Sequence, residues 1–379
     1  MLSERVKNIE ESKTARFTKR LQTLKDEGRT IINLAVGEPH FDTPAGIIAS
    51  TKDALDNQKT RYCPVQGISE LQSAIGSHFE GCNAENIVIT NGSKQALYSI
   101  FQIICNPLDE VVIPRPCWVS LPEQVKLAGA RPILVDTMNH QLDLSRIKAA
   151  VTGKTKAILI NSPNNPTGAV YSKTDLASLA DIARQCNLYI ISDEAYHFYV
   201  YDGLTPDSIF DCQDIRDRLI VTRSFSKHYH MTGFRIGYVV ANREISQALV
   251  KLQSHVSGNV CTFVQYGALS ALKGDDEILT QHRRELEQNR SVAYEYASRI
   301  FDCIKPQGAF YIFPDISKHL HGGATAEDFA QSLLQKTGIA VVPGEAFGVA
   351  NHIRISYAVP EHTLREAFEK IAEVLWSEL

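Results

Sequence analysis

The 379-residue sequence predicts an α/β protein with a large, mostly parallel, doubly wound sheet of the seven-stranded type and a smaller α+β unit after it. Three observations carry this prediction. Between residues 86 and 240, short β-branched runs alternate with helical patterns. Runs such as Ala157-Ile158-Leu159-Ile160 and Leu188-Tyr189-Ile190-Ile191 lack polar alternation, as strands covered by helices on both faces do. After Lys251 the pattern turns helical, and one long charged amphipathic helix precedes three further strand-like runs.

In chain order, the predicted strands of the large unit are Ile87–Thr90, Glu110–Pro114, Arg131–Asp136, Ala157–Asn161, Tyr189–Ser192, Leu219–Thr222 and Ile236–Ala241. The long helix, Asp276–Ile300, reads as a bridge between domains, with Glu285, Glu287 and Arg290 expected on solvated faces. Beyond it, Gly308–Phe313, Ile339–Val342 and His352–Tyr357 read as strands and Pro360–Leu379 as a closing helix. The expected division is an N-terminal segment, 1–45, packing with the small domain; a large domain, 46–275; and a small C-terminal domain with its linking helix, 276–379.

A formal charge of −4 provides no general attraction to nucleic acid or anionic lipid, so any anion site must be local. Residues 1–20 lack the apolar core of a signal peptide, and no later apolar run is long enough to span a bilayer, which makes the cytoplasm the expected location. The eight cysteines are scattered without C-x-x-C spacing and read as reduced thiols, mostly in the core. Two H-x-H pairs, His228/His230 and His319/His321, have no neighbouring carboxylate or thiolate ligands, so no metal is expected.

Ligands of such a sheet gather at the carboxyl ends of its strands, and four segments there carry chemistry. Gly92-Ser93-Lys94 follows a strand and opens a helix, where backbone N–H groups can cradle a phosphate; the plainer reading is a glycine turn with a serine cap. Arg223-Ser224-Phe225-Ser226-Lys227, followed by Gly233-Phe234-Arg235, supplies the parts of an aldehyde-phosphate site. Ser224, Ser226 and Arg235 can bind phosphate oxygens, and Lys227 can form an imine if its surroundings keep it unprotonated. Asp193 can hold a pyridine nitrogen protonated, while Asn165 and Tyr196 can donate to a phenolic oxygen on the same ring. Trp118 can stack on a ring face, or simply fill the core.

In this order, together with Gly37-Glu38-Pro39, Tyr62, Asn164-Asn165-Pro166-Thr167-Gly168, Asp193-Glu194-Ala195-Tyr196 and Arg354, these motifs closely resemble a family pattern. The chain resembles, over nearly its whole length, a fold-type I pyridoxal-phosphate enzyme: a class I aminotransferase of the bacterial aspartate and prephenate aminotransferase branch. The resemblance implies the aspartate aminotransferase-like fold, a pyridoxal 5'-phosphate cofactor, and amino-group exchange between amino acids and 2-oxo acids by a ping-pong course. It makes Lys227 the cofactor lysine and proton shuttle, Asp193 the partner of the ring nitrogen, and Arg354 the clamp on the substrate α-carboxylate, helped by Gly37 and Asn165. It also implies a homodimer in which Tyr62 reaches the neighbouring subunit's phosphate; without the family, Tyr62 is an ordinary turn tyrosine.

Lys94, with Ser12 and Thr14 as partners, matches the branch's receptor for a distal carboxylate, although an exposed surface lysine fits the sequence as well. Acidic donors with 2-oxoglutarate as acceptor are therefore expected. The chain departs from the branch at His40, where Asp is usual, at Cys117, where an aromatic is usual, and at His228-Tyr229-His230, where small residues are usual. The rival readings are an aminotransferase for an aromatic or unusual biosynthetic substrate, a β-lyase on the same scaffold, and a non-enzymatic cofactor-binding regulator.

Overall fold

The computed structural model describes residues 2–11, 21–24, 26–274 and 277–376. Among these the strands, in chain order, are β1 (Ile32–Asn33), β2 (Ile87–Thr90), β3 (Glu110–Arg115), β4 (Arg131–Asp136), β5 (Thr155–Asn161) and β6 (Tyr189–Asp193). Then come β7 (Leu219–Ser224), β8 (Gly237–Ala241), β9 (Tyr311–Ile312), β10 (Ile339–Ala340), β11 (Val342–Pro343) and β12 (Ile353–Ser356). The large sheet has seven strands in the order β2-β8-β7-β6-β5-β3-β4. Only β8 runs against its neighbours, so the sheet is mostly parallel as predicted.

Successive side chains of a strand point to opposite faces, and here both faces are apolar. Ile89, Val112, Ile158, Ile190 and Val221 enter the core on one face. Val88, Val111, Leu159, Ile191 and Ile220 enter the core on the other. Double coverage by helices therefore accounts for runs without polar alternation. Among the described residues no helix is long and apolar enough to cross a membrane.

The remaining strands form a three-stranded antiparallel sheet, β11-β12-β9, and a two-stranded parallel one, β1-β10. They share a core with helices Glu277–Ile300 and Glu361–Trp376, through Leu286, Ala293, Leu364 and Phe368. Two expectations are corrected in this region. Only Tyr311–Ile312 of the predicted strand Gly308–Phe313 joins a ladder, because Ala309 N–H donates to Tyr199 and the Phe310 carbonyl accepts from Tyr357 instead. The predicted strand Ile339–Val342 is two, since the chain changes sheets at Val341.

Arg290 also differs from expectation. It is 1% exposed, with both Nη atoms on the Asp202 carboxylate at 2.6 and 2.8 Å and Nη1 also donating to the Pro306 carbonyl at 3.1 Å. The Tyr201 ring lies 4.8 Å from its guanidinium carbon. Glu285 and Glu287 on the same helix are half-buried rather than fully solvated. The cysteines are free thiols; Cys117 is buried, Cys63, Cys82, Cys105, Cys186, Cys212 and Cys303 are half-buried and packed against the cores, and Cys261 is exposed.

Removing Arg290 would leave the half-exposed Asp202 with Lys305, at 3.7 Å, as its cation and open a hole beside Tyr201. Arg290→Ala is expected to cost about 2–3 kcal/mol, read as a lower denaturant midpoint in equilibrium unfolding. A midpoint equal to wild type would contradict this account of the burial.

Candidate active site

The carboxyl ends of β5, β6 and β7 open into a cavity of about 520 Å³. The helix starting at Gly92, the segment 33–38, Tyr311 and Arg354 complete its lining.

Asp193 closes β6 and is 3% exposed. Its Oδ1 accepts from Ala195 N–H at 3.2 Å and from the Thr222 hydroxyl at 3.4 Å, Thr222 being its register partner on β7. Burial outweighs both hydrogen bonds and pushes the carboxyl up to about 7. Such a group is suited to a cationic partner. The neighbouring Glu194 is already satisfied by Arg223 at 2.8 Å and by the Ser192 and Ser208 hydroxyls, so of the two adjacent carboxyls it is Asp193 that faces the cavity.

Where β7 ends, Ser224 caps the short helix Phe225–His228 by accepting from Ser226 N–H at 3.1 Å. This turn presents Lys227 to the cavity. Its Nζ donates to the Gly37 carbonyl at 2.6 Å, while its own carbonyl accepts from Tyr199 at 3.0 Å. Burial lowers the amine to about 8; the Glu38 carboxylate opposes this, and Arg235, Arg354 and Lys94 reinforce it.

Beside that turn, the 13-residue helix Gly92–Ile104 points its N-terminus, with Ser93, at Ser226 and Arg235. Arg235 donates to the Thr232 carbonyl at 2.9 Å and to Ser226 Oγ at 3.4 Å. Gly237 makes this close approach possible, because a Cβ there would lie 2.8 Å from both Ser93 N and the Arg223 carbonyl. Hydroxyls, a guanidinium and a helix N-terminus thus converge in an arrangement that suits a phosphate.

On the opposite wall, Arg354 comes from β12 and is 4% exposed. Its two Nη atoms donate to Asn165 Oδ1 and to the Ala35 carbonyl, each at 2.9 Å, and its plane sits near the Tyr311 and Phe347 rings at 4.3 and 5.1 Å. Asn165 Nδ2 donates to Tyr196 at 3.3 Å, and the Tyr196 and Tyr311 hydroxyls lie 3.0 Å apart. Burial raises the Tyr196 phenol well above its ordinary value, so it stays a donor.

Lys94 is exposed at the cavity's edge, with its ammonium 4.9 Å from the Trp118 ring. Burial, and then the Arg235 charge, lower its pKa. Sixteen residues were expected at the site; of these the cavity lining includes Gly37, Ser93, Lys94, Trp118, Asn165, Asp193, Tyr196, Ser224, Ser226, Lys227, Arg235 and Arg354. Gly92 lies at its edge, where a Cβ would meet Arg235 at 2.8 Å. Tyr62 is not brought in and is 97% exposed. Ser12 and Thr14 lie outside the described residues. Sequence reasoning missed Tyr311, Thr222 and Asn161, whose side chain accepts from Asn165 N–H at 2.9 Å and donates to the Asp193 carbonyl at 2.9 Å.

The chain matches the family model for aminotransferase class I and II over residues 29–371. It is 39% identical to an aspartate aminotransferase of Bacillus sp. (strain YM-2), covering 98% of each chain. A probable aspartate/prephenate aminotransferase of Aquifex aeolicus is also 39% identical, over 99% of this chain and 98% of the relative. The crystal structure of aspartate aminotransferase from Thermotoga maritima superposes with a TM-score of 0.93 at 34% identity, over 99% of this chain and 100% of that one. The fold is therefore of the aspartate aminotransferase type, and the chain belongs to the class I and II aminotransferase family, enzymes that transfer amino groups.

Proposed function

We propose that the chain is a pyridoxal 5'-phosphate-dependent aminotransferase that exchanges the amino group of aspartate- or glutamate-type donors with 2-oxoglutarate. The observation that carries this reading is the meeting, in one cavity, of a half-buried amine, a buried carboxyl and a buried arginine from three different elements. The residues fit the cofactor. Gly237 leaves room for the phosphate cradle, and Asp193 is a buried carboxyl whose raised pKa a pyridinium partner would relieve.

When bound, the cofactor supplies an aldehyde that accepts the amino group and a ring that takes up negative charge from the substrate α-carbon. Ser93, Ser224, Ser226, Arg235 and the helix N-terminus at Gly92 would hold its phosphate; Asp193 would pair with its ring nitrogen, and Asn165 and Tyr196 with its phenolic oxygen. Trp118 would stack on its face. Arg354 and Asn165, with Gly37, would fix the substrate α-carboxylate, so that its α-hydrogen faces Lys227. An amine held near 8 has a useful unprotonated fraction at mildly alkaline pH, and Lys227 can therefore take the proton from the substrate α-carbon and hand it back two atoms along, beyond the amino nitrogen.

For the substrate side chain, Lys94 offers a cation at the cavity, which favours a second carboxylate. The exposure of Tyr62 supports a homodimer in which it completes the partner's phosphate site. In the same reading residues 46–275 form the cofactor domain, and 1–45 with 276–379 the domain that brings Arg354 to it. The pairing of β1 with β10 supports that grouping.

Reacting purified enzyme with one donor at a time tests this function by the change in the cofactor's absorbance. Aspartate and glutamate should convert it and 2-oxoglutarate should reverse the change; conversion by tyrosine alone would discard the acidic substrate. Lys227→Ala should fold but lose turnover by at least about a thousandfold and lose borohydride-trappable cofactor. Lys94→Ala should lower kcat/KM for aspartate by about tenfold and leave alanine nearly unchanged. Equal losses on both substrates would remove Lys94 from side-chain recognition.

A further inference from the structure

The two places where the sequence departs from the branch pattern on either side of the catalytic lysine, His40 and His228-Tyr229-His230, meet in space. They meet on the long helix Glu277–Ile300. His230 is 6% exposed, and its Nε2 lies 3.0 Å from His282 Nδ1 on that helix. Phe41, from the segment after Gly37, stacks flat on the His282 ring at 3.9 Å and 6° and leans on His230 at 5.3 Å. The Thr43 hydroxyl donates to the His230 carbonyl at 2.6 Å, and His40 Nε2 lies 3.2 Å from Glu285 Oε1.

Three elements are therefore tied at one point: the segment 37–43, the turn 227–230 and the long helix. The same segment carries the Gly37 carbonyl that accepts from Lys227 Nζ at 2.6 Å. Movement at Phe41 would be transmitted over four residues to that carbonyl and to the backbone beside the substrate carboxylate.

We infer that His230 and His282 are positioning residues: a neutral histidine pair that, with Phe41 stacked on it, latches the segment 37–43 closed over the cavity beside Lys227. One ring nitrogen donates and the other accepts, so the latch needs both rings uncharged or, at most, one proton added at a cost. The titratable groups facing the pair are His40 from the segment, Glu285 from the helix and His228 from the turn, with His197 and Arg223 behind His228. Burial, with His282 and His40 nearby, lowers His230 to about 3; burial also lowers His282, against the pull of Glu285. Both folded values lie below the ordinary 6.5, so the latch is fully present above that pH and weakens as pH falls below it.

The test is chymotryptic nicking after Phe41 in the holoenzyme, followed by mass spectrometry and normalised to a free peptide of the same sequence at each pH, because cleavage there requires local opening. His282→Phe keeps the stack on Phe41 and loses the hydrogen bond; His230→Ala loses the hydrogen bond and the tilted contact with Phe41 but leaves the stack on His282. Each should speed nicking by about fivefold and raise KM for the amino acid by a similar factor, with kcat held within about twofold. The double variant should be no worse than the worse single one, and His282→Gln, which keeps a polar partner for His230 but gives up the ring stacked on Phe41, should also nick faster than wild type. Wild-type nicking should accelerate below pH 6.5 while the double variant's stays flat. Unchanged nicking in the single variants, additive effects, or an acid response that survives in the double variant would each overturn the latch. The KM effect rests on the aminotransferase reading and nicking does not, so an inactive wild type would fail that reading alone.

Discussion

The buried hydrogen bond from Arg354 to Asn165, 2.9 Å long, is the contact on which the site depends. Arg354 belongs to the three-stranded sheet and Asn165 to the loop after β5 of the large sheet, so this bond joins two separately packed cores. A guanidinium that is 4% exposed has given up most of its water, and it recovers partners only because Asn165 and the Ala35 carbonyl are placed to receive it. The Tyr311 ring beneath it and the Tyr311–Tyr196–Asn165 chain of hydrogen bonds lock the same junction from the side. The cavity exists where the two cores meet, which is why its groups come from segments more than 300 residues apart.

Electrostatics follows from that enclosure. The chain carries a formal charge of −4, yet Lys94, Lys227, Arg235 and Arg354 all line one cavity. Crowding of like charges and loss of water act together on the amines, lowering both Lys94 and Lys227. Lysine responds by releasing a proton, whereas arginine keeps its charge; the same field thus yields a basic amine beside a fixed cation. Asp193 shows the complementary effect, a carboxyl raised by burial until a positive partner compensates it. Anionic substrates and a phosphate-bearing cofactor suit such a cavity without any general basicity of the surface.

The seven strands of the large sheet were legible because double burial leaves apolar β-branched runs bounded by turn residues. Their ends were less so: β7 continues to Ser224 because Arg223, polar by type, is held by Glu194. The C-terminal strands were misjudged in length for a related reason. Residues 308–310 are apolar but spend their backbone groups on Tyr199 and Tyr357, which no local pattern reveals. Arg290 looked solvated because its partner, Asp202, lies 88 residues away. The motif residues of the site were legible through their order along the chain, while Thr222 and Tyr311 were not, being defined only by register against β6 and by the junction with Arg354. Tyr62 is exposed in the single chain, where nothing local gives it a task.

The histidine cluster shows how a family scaffold can acquire a local property without altering its chemistry. None of His40, His230 and His282 lines the cavity, and each could be exchanged without touching the groups that bind or react. Their effect lies in what they join. A hydrogen bond between two neutral rings is a weak tie, about 1 kcal/mol, but it sits at the free side of a segment whose other end carries the carbonyl facing Lys227. Small energies matter at such a point because closure of a short segment is itself balanced within a few kcal/mol. A tie of that size shifts the closed fraction severalfold, which alters substrate affinity far more than the barrier to proton transfer, since Lys227 remains anchored from below by Tyr199.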